Sequence, residues 1–150
     1  MGHIPEDAEW YIAELIEEIT VHGSKRNVVH RNLVLINARS PQEAYDKALR
    51  TGQNGETEYE NPKDQLVRIR FRGISKLDVI YEPLEDGSEL AYERQVEVSE
   101  AEIQRMIPPK EELAVFTAPS PGKEHDPDYR SKAVVEEALR MLDRNKRDSE

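Results

Sequence analysis

The sequence predicts an α+β domain: an antiparallel sheet of about five strands with one helix packed on a face, then a Pro-rich linker and a C-terminal helix. Three observations predict it. Apolar and polar residues alternate through several short stretches, most strictly in QLVRIRFR at residues 65–72. One internal stretch, opened by Ser40-Pro41-Gln42-Glu43, switches to helical spacing. Five of the nine prolines fall between residues 107 and 128, where large apolar groups thin out. On this reading residues 1–9 are a leader, 10–106 the α+β domain, 107–128 the linker and 129–147 the terminal helix.

Each element has its own signal. In WYIAELIEEITV, residues 10–21, Tyr11, Ala13, Leu15, Ile19 and Val21 share one parity, with an interruption at Ile16-Glu17 that suggests a bulge. His22-Gly23-Ser24-Lys25 supplies a turn into a second strand over residues 27–38, its antiparallel partner. Ser40-Pro41-Gln42-Glu43 reads as a capping box with Pro at the first helical position, and Gly52 as the stop. The helix should cover about 41–51 and lay Ala44, Tyr45, Ala48 and Leu49 on the sheet. Asn54-Gly55 and Asn61-Pro62 mark an irregular connection. Val67, Ile69 and Phe71 then face one way and Arg68, Arg70 and Arg72 the other. After Gly73 a fourth strand is expected over 76–81. Asp86-Gly87 leads to a fifth over 89–98, with Leu90, Tyr92, Val96 and Val98 on one face. Ser99-Glu100-Ala101-Glu102 caps a short helix that Pro108-Pro109 ends.

The 150 residues are 37% hydrophobic and 35% charged, with a net charge of −10. Most of the acidity belongs to residues 1–106, with 21 acidic and 13 basic residues. Long-range repulsion of phosphate argues against nucleic acid and anionic membrane as partners. There is no cysteine, which removes disulfides, thiolate metal sites and cysteine nucleophiles. The longest apolar run, Leu33-Val34-Leu35-Ile36, is far too short to cross a membrane, and the start lacks the pattern of a signal peptide. A cytoplasmic location is the expectation.

WYIAEL near the start, ARSPQEAYDKALRTG in the middle and RFRGISKLDVIYEPLEDGSEL afterwards carry a resemblance. They are similar to a small bacterial family catalogued as domain of unknown function number forty-two eighty-eight. The likeness covers about residues 10–98. It implies a compact α+β domain in bacteria, with no assigned reaction and no catalytic residues to carry over.

Among candidate sites, Arg68, Arg70 and Arg72 stand out, spaced about 6.5–7 Å apart on one strand face, a pitch suited to phosphate or carboxylate groups. Lys76 and His30 are candidate neighbours of this row. The plain alternative pairs the arginines across strands with Glu89, Glu93 and Glu97. The histidines (His3, His22, His30 and His125) lack metal-pair spacing, and Glu124, Asp126 and Asp128 match a calcium loop only loosely, so no metal or cofactor is expected. No nucleophile elbow or phosphate loop occurs, and no catalytic residue is assigned. Candidates for recognition are Trp10, Phe116 and the terminal helix stripe Val134, Val135, Leu139 and Leu142. That stripe needs a cover, either its own sheet, a second copy in a homo-oligomer, or another protein. The expectation is a non-enzymatic interaction module, immunity- or inhibitor-like, that binds a basic protein. The alternative is a small-anion or nucleotide-binding module on the arginine row.

Overall fold

A computed structural model describes residues 3–117 and 128–148 of the chain. They fall into two units, residues 3–91 with 128–148, and residues 92–117. The first unit is α+β. Its four strands are β1 (Trp10–Val21), β2 (Asn27–Asn37), β3 (Thr57–Glu60) and β4 (Leu66–Val79), and its helices are α1 (Pro41–Asn54) and α3 (Lys132–Asp148). The sheet is antiparallel throughout, in the order β2-β1-β4-β3.

β1 is buried along most of its length because it pairs on both sides, from Trp10↔Asn37 to Thr20↔Asn27 with β2 and from Tyr11↔Val79 to Val21↔Val67 with β4. The β1–β4 register slips at Glu14/Leu15 and again at Ile16/Glu17, where the sequence pattern breaks. Opposite Ile16 stands Gly73 at φ 146°, a conformation that a side chain would disfavour. The slips let β4 run on through Gly73, so the two strands expected at 65–72 and 76–81 are one.

α1 begins as the sequence predicts, with the Ser40 Oγ accepting from the Glu43 amide at 3.1 Å. The reciprocal half of that box is replaced by a Glu43–Lys47 ion pair at 3.4 Å. The helix does not stop at Gly52. It runs to Asn54 with Gly55 as its cap, because Gly52 is a packing residue. A Cβ there would lie 2.4 Å from the Phe71 ring. Ala44, Ala48 and Gly52 form a stripe of small buried residues on which the helix approaches the sheet, while Tyr45, expected inside, is exposed.

The inner face of the sheet has two halves. Ala44 and Ala48 cover Tyr11, Ala13, Leu15, Ile36 and Ala38. The second half holds Ile19, Val21 and Val67, flanked by Val28, Tyr59 and Ile69. Residues 128–132 run against this end. The Tyr59 hydroxyl donates to the Tyr129 carbonyl, Lys132 pairs with Asp64 and Glu60, and the Tyr129 ring meets His30 edge-on at 6.1 Å. Asn61, fully buried, ties this clamp to the β3–β4 loop. Its Oδ1 accepts from the amides of Lys63 (3.0 Å) and Gln65 (2.9 Å), and its Nδ2 donates to Gln65 Oε1 and the Asp128 carbonyl. Both lone pairs and both protons of the carboxamide are thus used.

Three further expectations are corrected. Thr57–Glu60, read as part of an irregular connection, is the edge strand β3. Residues 89–98 form no strand. The chain leaves the sheet at Ile80, whose amide bonds the Trp10 carbonyl, and Pro83 and the turn at Glu85–Ser88 follow. The terminal helix starts at Lys132, behind the clamp, and not at Tyr129.

In the second unit, α2 (Glu100–Met106) carries a complete capping box between Ser99 and Glu102. Two 3-10 turns follow, Lys110–Glu112 and Ala114–Phe116, with the Lys110 ammonium 5.3 Å from the Phe116 ring centre. The rest of the Pro-rich stretch, with Glu124, His125 and Asp126, lies outside the described residues, as do residues 1 and 2 of the leader.

Candidate functional site

The outer face of the sheet gathers most of the charged candidates. Alternation on β4 puts Arg68, Arg70 and Arg72 there, beside Glu14 and Glu18 of β1, Glu58 of β3 and Arg31 of β2. Arg68 bonds Glu58 at 2.6 Å and Arg72 bonds Glu18 at 3.1 Å. Arg68 and Arg72 are therefore paired, but with β3 and β1 in place of Glu89, Glu93 and Glu97. Arg70 faces Glu18 in register, and among the described residues it makes no ion pair of its own.

Glu14, nearly buried, accepts from Ser75 Oγ at 2.7 Å and Arg31 at 2.9 Å. The Ser75 hydrogen bond, then Arg31 and the Lys76 charge, hold its carboxyl below the ordinary range against the opposing effect of desolvation. Glu18 is lowered as well, first by the Asn27 hydrogen bond (2.7 Å), then by the charges of Arg72 and Arg70. Carboxyls held in this way are charged at neutral pH and act here as ion-pair and hydrogen-bond acceptors.

The predicted neighbours of the row separate. Lys76 shares the outer face, in register with Glu14, whereas His30 lies on the inner side against Tyr129, so the two do not join one site. Trp10 is half-buried at the start of β1, and Phe116 is exposed in the second unit. On α3, Val134, Leu139 and Leu142 are exposed and Val135 is half-buried. Sequence reasoning missed the Glu14–Arg31–Ser75 group and the Asn61 clamp. The only local signal for the clamp was Asn61-Pro62 followed by polar residues, the mark of an Asx turn.

Open cavities among the described residues include two. One, of about 300 Å³, lies between the β1–β2 turn and the start of β4, beside Arg68. The other, of about 570 Å³, lies between residues 95–98 and Glu102, Arg105 and Met106 of α2. Among the described residues, no group of three His, Asp or Glu side chains is placed to hold a metal ion, and no helix is long and apolar enough to cross a membrane.

The fold and surface define a small α+β domain built on a four-stranded antiparallel sheet, its outer face laced with ion pairs. Residues 10–92 match the model of a family described as a domain of unknown function (DUF4288), and the chain belongs to that family. Neither the curated proteins nor the solved structures contain a match.

Proposed function

We propose that this chain is a non-enzymatic bacterial protein-interaction module, immunity- or inhibitor-like, whose partner is a basic protein. One observation carries the reading. In the second unit Ile107, Val115 and Phe116 are 70%, 83% and 56% exposed, in a segment where Glu100, Glu102, Glu111 and Glu112 outnumber Arg105 and Lys110. Exposed apolar anchors in a segment of net negative charge suit a partner of opposite charge, drawn in by its field and held by desolvation. A cytoplasmic location belongs to the same reading, supported by the lack of cysteine.

The test compares the immobilised full chain with an Ile107→Asp, Phe116→Asp variant in bacterial lysate at low and high ionic strength. A stoichiometric basic protein, held by the full chain, released by salt and lost from the variant, is the expected result. The same proteins on both baits, or none on either, would refute it. A second reading, an anion or nucleotide site on the arginine row, draws on Arg70 alone, since Arg68 and Arg72 are committed to carboxylates. A thermal shift with nucleotides that vanishes in Arg70→Glu checks it.

A further inference from the structure

β2 is an open edge. The Ala38 amide bonds the Glu9 carbonyl, which sets the ladder phase, so the even-numbered residues of β2 turn their backbone groups toward β1. Val29, Arg31, Leu33 and Leu35 then direct their N–H and C=O groups outward, where no strand of the described residues pairs with them. Their side chains lie on the outer face, and Leu33 is 65% exposed. Proteins usually blunt such an edge with proline, a bulge or brevity, yet β2 spans eleven residues without proline or register slip.

Residues 89–98 are the counterpart. They alternate as a strand should and are not in one, and Tyr92 and Val96 are 78% and 69% exposed. The charges match. Residues 25–39 hold four basic and no acidic residues, in a chain of net charge −10, whereas residues 89–102 hold five acidic and one basic. The other open edges differ: Arg70–Val79 on β4 carries Arg70, Arg72 and Lys76 against Asp78, with Arg72 already bonded to Glu18, and β3 carries two Glu, so neither matches the excess of positive charge along β2.

We infer that two copies of the chain exchange residues 89–98, each laying this segment along the β2 edge of the other as a fifth strand. Backbone hydrogen bonds supply the ladder. The row Leu90, Tyr92 and Val96 covers Val29, Leu33 and Leu35, and the opposed charges select this edge. The inference goes beyond the proposed partner binding and uses different residues, so either can fail alone.

Light scattering of the full chain during size exclusion, at moderate salt, should give twice the mass of one chain, falling toward one chain as salt rises. Two double variants at exposed positions separate the surfaces. Leu33→Glu with Leu35→Glu breaks the edge, and Tyr92→Glu with Val96→Glu breaks the arm. Each should be monomeric with an unchanged far-ultraviolet circular dichroism spectrum. Their equimolar mixture should recover a dimer, because one intact arm then meets one intact edge. A monomeric full chain would overturn the inference, as residues 89–98 would then serve their own sheet or none. So would a dimer that survives in both variants, which would place the contact elsewhere, for instance on α3. A mixture that stays monomeric would also overturn it.

Discussion

At Gly52 two residue effects oppose each other. Replacing a helical glycine by alanine stabilises the helix by about 1 kcal/mol. Here the added methyl would meet the Phe71 ring at 2.4 Å, and overpacking of that kind costs about 1–3 kcal/mol. Gly52→Ala is therefore expected to destabilise by up to about 2 kcal/mol in urea unfolding. Phe71→Leu, made in the same chain, should recover part of the loss, since it removes the obstructing ring. Glu14 governs a different variable. Its carboxyl lies below the ordinary range in the folded chain, so its stabilisation is present above the unfolded pKa and is lost as pH falls through the folded one. In denaturant titrations, the gap between the protein and Glu14→Gln should be widest at neutral pH and close in acid. A gap independent of pH would show that the carboxylate charge plays no part.

Among the elements, α3 and the segment before it differ in what they hold. α3 is exposed along most of its length, whereas Asp128–Lys132 supplies the partners of Tyr59, Asn61 and Asp64. A chain ended after Lys132 should unfold within about 1 kcal/mol of the full protein, because little apolar surface is lost with the helix. A chain ended after Thr117 should lose about 2–3 kcal/mol, since the Asn61 carboxamide and the Tyr59 hydroxyl lose their acceptors. Hydrogen exchange at residues 57–67 would locate the damage. Legibility followed the same division. β1, β2 and the start of α1 were readable because alternation and a side-chain cap act over a few residues. The interruption at Ile16-Glu17 marked a place where the β1–β4 register slips, but the extra residues, Arg72 and Ser75, stand on β4 and not on β1. β3 was not readable, because its TEYE is held by pairing with Leu66–Ile69 and not by its own pattern. The strand expected at 89–98 had the pattern but no ladder, and period alone cannot say which edge, or whose, will accept a strand. Of the candidate site, the arginine row was visible and its partners were not, because ion pairing depends on strand order, which places β1 and β3 on either side of β4.

Across the whole molecule, charge is sorted. A basic stretch lies on the β2 edge within an acidic chain, acidic residues crowd 89–102, and exposed apolar groups follow in 103–116. Under the readings proposed above, the edge belongs to self-association and the later segment to the basic partner. The ionic-strength dependence of the two should therefore be separable by variants in the same chain. The clamp has a further consequence, for the order of events in folding. β1 and β2 are joined by a turn of a few residues, whereas Tyr59 and Asn61 reach partners 70 and 67 residues away. Closing a loop of that length costs on the order of 4 kcal/mol of chain entropy, well beyond what a hairpin turn demands. Contacts of this kind are expected to form after the barrier is crossed, so ending the chain after Thr117 should speed unfolding and leave the folding rate nearly unchanged in stopped-flow measurements. A folding rate that falls with the clamp would place it in the transition state instead.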